Sequence, residues 1–351
     1  MTTLAVIILA AGQGTRMQSK KQKILHDVGG RPMVAHVFET ALSVADRPPL
    51  LVVGPGDKGV HQLFGDRAEY VVQAEQLGTG HATRMAESIL RGGFDQVLVT
   101  YGDMPLLRVE SLSRLAQIQA ESNAAVAILT VMGDLSSTFG RVIRDESGRV
   151  TEIIEVAEAR RRPNGEELLA VAEHNAGVYC FAAEWLWDHL PELPVRQART
   201  GPEYYLTDMI ALAVAQGRLV ATLTIADADE SLGAGTRSEL VAVEKAFRRR
   251  ANERWLAAGV TLIDPETIYI DQTVIIGRDT TIWPNTFLQG DTTIGEDCCL
   301  GPNSIVRNSL IGRGCRIEQA VVEGSILNDG SEIHPFNHLM GQQATARNAK
   351  P

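Results

Sequence analysis

The chain has 351 residues, 44% of them hydrophobic and 22% charged, with a formal net charge of −10. The length exceeds one typical domain, the mixture is that of a water-soluble globular protein, and the deficit of Lys and Arg excludes a surface built to grip a nucleic-acid backbone. No apolar run approaches the ~18 residues of a membrane span, no charged leader precedes the first strand, and Cys180, Cys298, Cys299 and Cys315 form no CxxC pair, so the reading is a cytoplasmic protein with reduced cysteines and no nucleic-acid or membrane partner.

From the N-terminus to about residue 230, short apolar runs alternate with amphipathic stretches, the pattern of an α/β sheet with helices on both faces. Strands are expected over 4–9, 49–53, 69–72, 96–100, 125–130 and 174–181, and helices over 33–44 and 80–90. Ligands of such sheets lie beyond the carboxyl ends of the strands. The first strand runs into Leu9-Ala10-Ala11-Gly12-Gln13-Gly14-Thr15-Arg16-Met17, where glycines let the backbone turn closely around an anion. Arg16 offers a planar fork of donors and Lys23 a mobile point charge, so the stretch reads as a phosphate cradle; an ordinary strand-to-helix turn with two surface cations is the alternative. It is neither a P-loop nor a dinucleotide fingerprint.

Three later stretches also follow strands. Gln73 opens Gln73–Ala82 and presents both a donor and an acceptor to a base edge, with Gly78 and Gly80 easing close approach. In Tyr101-Gly102-Asp103-Met104-Pro105-Leu106, Asp103 suits Mg²⁺, which takes one or two carboxylates and fills its shell with water and phosphates; a turn or helix cap is an equal reading. Phe139-Gly140-Arg141-Val142 leads to a hairpin turning at Asp145-Glu146-Ser147-Gly148. Beyond it Glu155 either bonds sugar hydroxyls or is an exposed strand-end acid. Asn175 lies in another glycine-eased run, Tyr205 lies in Pro202–Asp208, and Thr207 is placed to cap a helix over 209–215.

Thr236-Arg237-Ser238-Glu239 reads as a capping box opening one long helix that ends at Gly259, with Arg248-Arg249-Arg250 as a solvated face. Then the period changes. Ile270, Ile276, Ile282, Leu288, Ile294, Leu300 and Val306 recur every sixth residue, and Ile311, Ile317, Val322, Ile326 and Ile333 continue after a slip. A hexapeptide period is that of a parallel β-helix; at three hexads per coil the tract 265–338 makes about four coils, and the tail 341–351 is expected to be disordered.

Taken together, a phosphate-cradling domain, a linking helix and a hexapeptide β-helix resemble the bacterial bifunctional N-acetylglucosamine-1-phosphate uridylyltransferase/glucosamine-1-phosphate acetyltransferase family. Leu9–Met17 followed by Lys23-Ile24-Leu25-His26 corresponds to its pyrophosphorylase signature, and Gln73–Ala82, Tyr101–Leu106 and Glu203–Asp208 match three more motifs. The resemblance implies a Rossmann-like α/β nucleotidyltransferase domain with a C-terminal left-handed parallel β-helix, divided as 1–235, a linking helix 236–259, a short β-helix 260–340 and the tail. It implies that Arg16 and Lys23 hold nucleotide phosphates, that Leu9, Ala10, Ala11, Gly12 and Gly14 frame the nucleotide, and that Gln73, Gly78 and Thr79 read uracil. Asp103 would bind Mg²⁺, and Tyr101, Gly102, Gly140, Glu155, Asn175, Tyr205 and Thr207 would line the sugar side.

The implied substrates are UTP and a sugar 1-phosphate, N-acetylglucosamine 1-phosphate first. Glucose 1-phosphate or dTTP chemistry, or a non-catalytic nucleotide-sugar binder or scaffold, are the alternatives, and a homotrimer through the β-helix is the implied association. The sequence departs from the family at Gly235, where an Asn would be the second Mg²⁺ ligand; water or Glu230 would complete the shell, or metal affinity would fall. Gln22 stands in place of Pro, and Val156-Ala157 in place of a His-Lys pair. No counterpart of the acetyltransferase residues is present, so no acetyl transfer is expected.

Overall fold

The computed structural model describes residues 2–133, 139–198 and 201–344. By contacts they fall into two units, one made of residues up to His26 with Pro32–Leu240, the other of Asp27–Arg31 with residues from Val241 onward. In the first unit β1 (Leu4–Ala10) is central, because all seven of its residues are buried and only a strand covered on both faces can be so uniformly apolar. Its alternate side chains feed two separate cores: Ala5, Ile7 and Leu9 join one, and Leu4, Val6, Ile8 and Ala10 the other.

The remaining strands of the sheet are β2 (Leu50–Val53), β3 (Glu69–Val72), β4 (Gln96–Tyr101), β5 (Val126–Met132), β6 (Arg141–Arg144), β7 (Val150–Ile154), β8 (Glu173–Ala182) and β9 (Val220–Ile225). The main path runs β9-β5-β8-β4-β1-β2-β3, with the β6–β7 hairpin attached to β8. β1 is parallel to both β2 and β4, whereas β8 is antiparallel to both β4 and β5. The carboxyl ends of β1 and β4 therefore open at the same edge. The expected helix over 80–90 is two pieces, Thr79–Arg84 and Glu87–Leu90, and the helix Val109–Ser122 lay outside the sequence reading.

The helix Arg237–Ala257 runs unbroken, and Glu239 N–H donates to the Thr236 hydroxyl as the capping box requires. Its arginine run departs from the expected solvated face: Arg248 is buried, with its guanidinium 4.2 Å from the centre of the Tyr269 ring. Beyond it, three sheets of five short parallel strands each stack into the left-handed β-helix, so there are five tiers instead of about four. The hexapeptide aliphatics from Ile270 to Val306 all point inward.

Two further expectations change here. After Val306 coils shorten, Ile305 pairing with Val321 and Leu310 with Ile326, and the inward residue becomes Leu327, 2% exposed, while Ile326 is 40% exposed. Gln343–Ala344, assigned to the tail, form a strand on Ile326–Leu327, because ladder hydrogen bonds need backbone and no apolar side chain; 345–351 lie outside the described residues. A second inward column, unread in the sequence because its residues are small and polar, stacks Thr280, Cys298, Cys315 and Ser331, all buried. The cysteines are free thiols.

Candidate active site

The cradle begins where β1 ends. Gly14 takes φ +63°, and a β-carbon there would lie 2.4 Å from the β-carbon of Lys23, so glycine lets the lysine turn pack directly on the loop. The side-chain amide of Gln76 donates to the Ala11 carbonyl at 2.5 Å and that of Gln22 to the Ala10 carbonyl at 2.9 Å. These carbonyls are thus engaged by protein donors and turned away from an incoming anion. Gly12 has open space on its β-carbon side.

A cavity of about 390 Å³ sits against this loop, lined among others by Leu9, Ala10, Ala11, Gly12, Gly14 and Lys23 from the first strand and loop, Gln73, Gln76, Gly78 and Thr79 after β3, Tyr101 and Asp103 after β4, and Glu203. Lys23 Nζ lies 2.5 Å from Asp103 Oδ2, joining the ends of β1 and β4. Asp103 is therefore neither a turn residue nor a cap by its carboxylate. The cavity presents the Lys23 ammonium and the Asp103 and Glu203 carboxylates beside apolar residues, which suits a phosphorylated ligand with a planar base.

The Gly78 side of the cavity is clamped by backbone. Gly78 adopts φ +92°; Tyr204 N–H donates to Leu77 O and Gly80 N–H to Tyr204 O, each at 2.8 Å, and Leu206 N–H donates to the Thr79 hydroxyl at 3.0 Å. Gln73 is buried, its amide donating to Gly78 O at 3.0 Å and lying 3.1 Å from His81 Nδ1.

Comparison with known proteins agrees with this geometry. Residues 6–201 match the MobA-like NTP transferase domain, and 273–308 match the bacterial transferase hexapeptide of six repeats. The chain is 41% identical over 344 residues to the bifunctional protein GlmU of Exiguobacterium sibiricum, covering 98% of this chain and 75% of that one. To GlmU of Enterococcus faecalis it is 40% identical over 333 residues, covering 95% and 71%.

The chain belongs to the GlmU family.

It is accordingly a nucleotidyltransferase, of a type that works with a divalent metal. Several expected site residues of this GlmU-family chain are placed differently from the sequence reading. Arg16 is exposed and outside the cavity lining, its Nη2 lying 2.5 Å from where a β-carbon at Gly235 would stand. Gly102 packs beneath the loop, its N–H donating to Leu9 O and its β-carbon position facing Ile24 and Val34. Asn175 spends both ends of its amide internally, Oδ1 accepting from Gly177 N–H at 3.0 Å and Nδ2 donating to the Tyr179 hydroxyl at 2.7 Å. Thr207 precedes the helix Asp208–Ala215 without a side-chain capping bond.

Glu155, Tyr205 and Asp208 share one electrostatic neighbourhood, and Gly140 adjoins it, its β-carbon position 3.5 Å from Glu155 Oε1. Burial, then the charges of Asp208 and Glu158, push the Glu155 carboxyl above its ordinary range. Glu155 is thus not the exposed strand-end acid of the alternative reading. Asp208 itself is gripped bidentately by Arg196 at 3.0 and 2.8 Å.

For a divalent ion the donor set is sparse. Among the described residues no three His, Cys, Asp or Glu side chains converge. Glu230 is buried, its carboxylate accepting from Arg108 N–H at 3.2 Å and lying 3.7 Å from the Arg108 guanidinium. Ala234 N–H donates to Asp103 O, so the glycine-flanked segment 233–235 passes over the acid without offering an oxygen-bearing side chain. One carboxylate still fits an ion that draws its other ligands from substrate phosphates and water.

Sequence reasoning passed over Gln76, which sits inside a motif it had quoted; its value as a donor to the loop depends on a contact 65 residues away.

Proposed function

We propose that the chain joins UTP and N-acetylglucosamine 1-phosphate to give UDP-N-acetylglucosamine and pyrophosphate. The observation that carries this reading is the Lys23–Asp103 pair set in the wall of a cavity that the β1 loop shares with Gln73, Gly78 and Thr79. A phosphate oxygen of the sugar attacks the α-phosphorus of UTP. The bond from that phosphorus to the oxygen bridging to the β-phosphate breaks, and pyrophosphate leaves with that electron pair.

The protein's work is alignment and charge compensation, since two polyanions repel and negative charge grows on the leaving group. Lys23 serves the phosphates at the cavity wall and Arg16 at its exposed margin. The ion we assign is Mg²⁺, held by Asp103 and nucleotide oxygens, where it would neutralise phosphate charge. Glu155 and Tyr205 serve the sugar.

Pyrophosphate release from UTP, Mg²⁺ and N-acetylglucosamine 1-phosphate tests the reading, with glucose 1-phosphate and dTTP as comparison substrates. Turnover at background across that panel overturns it. Acetyl transfer is left out of the reading: with glucosamine 1-phosphate and acetyl-CoA the 351-residue chain is expected to release no coenzyme A thiol, and release would add that activity. For association we propose a homotrimer through the β-helix, supported by Ile275, Leu310 and Ile326, 59%, 51% and 40% exposed, which share one outward column with Thr293 between the first two; sedimentation of a monomer at micromolar concentration would oppose it.

A further inference from the structure

Tyr179, whose hydroxyl meets Asn175 and which does not line the cavity, is fully buried at 0% exposure in β8. Phenylalanine would fill the same volume, so packing alone does not call for the hydroxyl, and a buried hydroxyl is costly unless it is paired. It is paired on the sugar side, where Asn175 Nδ2 donates to it at 2.7 Å. It also meets the Tyr101 hydroxyl, whose other neighbour is the Thr79 hydroxyl.

Backbone geometry ties these groups into one wall. Pairing of β8 with β5 shifts register between Asn175 and Tyr179. In that bulge Gly177 takes φ +81°, and a β-carbon there would be 3.0 Å from the Tyr101 ring, so the bulge lies flat on Tyr101. Tyr101 lines the cavity, and Thr79 holds Leu206 N–H at 3.0 Å, next to the Tyr205–Thr207 segment. Burial lifts both phenols above their ordinary range, so both hydroxyls keep their protons.

We propose that the Tyr179 hydroxyl is a positioning group that couples the two substrate sites, holding the Asn175 bulge and Tyr101 in one arrangement so that nucleotide binding tightens sugar-phosphate binding. The proposal rests on the uridylyltransferase reading above. Its physical basis is that a buried polar chain has few fully bonded arrangements, so a ligand that orders one end leaves less ordering for the ligand at the other. Linkage requires the effect to be reciprocal.

The test is calorimetric titration of N-acetylglucosamine 1-phosphate into the full chain with Mg²⁺, with and without the α,β-methylene analogue of UTP, which binds without transferring. The wild type is expected to bind the sugar phosphate about tenfold more tightly when the analogue is present. In Tyr179→Phe that ratio should fall to within twofold of unity, with each ligand alone bound within threefold of wild type. A merely structural loss would weaken both ligands and leave the ratio. Tyr101→Phe removes the neighbouring hydroxyl and serves where Tyr179→Phe does not fold; it should lower the ratio as well.

An unchanged ratio in a folded variant, or no coupling in the wild type, overturns the proposal while pyrophosphate release in the parallel assay leaves the enzymatic reading standing. Absence of both ligand binding and turnover overturns the two together.

Discussion

Replacing Gly78 by alanine should disable nucleotide binding without unfolding the chain. Gly78 sits at φ +92° and ψ −179°, a region open essentially to glycine alone, and holding another residue there costs about 1–3 kcal/mol. The added β-carbon would stand 2.6 Å from Tyr204 O and 2.9 Å from Tyr204 N, both backbone atoms that cannot swing aside. Relief requires the two segments to part, giving up the two 2.8 Å bonds that join Leu77 and Gly80 to Tyr204, each worth about 1 kcal/mol net. Taken together the closed clamp loses about 3–5 kcal/mol, which at about 1.4 kcal/mol per decade lowers the ratio of closed to open forms by two orders of magnitude or more. Apparent affinity scales with the closed fraction, so for a clamp near balance in the free wild type the dissociation constant for UTP should rise about a hundredfold.

Titration calorimetry with UTP reads the effect, and circular dichroism melting checks the fold. Gly93→Ala is the control, because its β-carbon would meet only Leu90 O at an ordinary 3.6 Å and should leave both readings unchanged. Binding of UTP by Gly78→Ala within threefold of wild type would refute the clamp.

Other outcomes follow from the same coordinates. Leu327→Ala should cost about 2–5 kcal/mol in denaturant unfolding, as for a buried leucine, whereas Ile326→Ala should cost well under 1; the reverse order would restore the unslipped hexapeptide phase. Glu155 has a folded pKa raised above its ordinary 4.5, so its contribution to stability is greatest at low pH and is lost as pH rises through the raised value. Glu155→Gln should therefore gain in melting temperature relative to wild type between pH 4.5 and 7, and a constant difference across that range would contradict the burial. Gly235→Asn must push the exposed Arg16 tip aside and adds an amide oxygen; Mn²⁺ binding to the UTP complex, followed by electron paramagnetic resonance, should tighten about tenfold, and an unchanged affinity would make the position irrelevant to the ion.

What could be read from sequence was whatever rests on local rules. The strand Leu4–Ala10, the glycine loop after it and the capping box at Thr236 are spelled by neighbouring residues, because burial pattern, φ freedom and cap chemistry act over a few positions. The six-residue aliphatic period announced the β-helix for the same reason.

Tertiary structure decided what depends on partners distant in sequence. Gln76 became a loop anchor through the carbonyl of Ala11, Asn175 was bonded into a bulge through Tyr179 and Gly177, and Glu230 was drawn to Arg108. The coil slip at Leu327 likewise follows from which residue pairs across to the tier below. Sequence spacing fixes the menu of groups at each strand end, but hydrogen bonds are made to whatever atom the fold brings within about 3 Å, and that choice belongs to the whole chain.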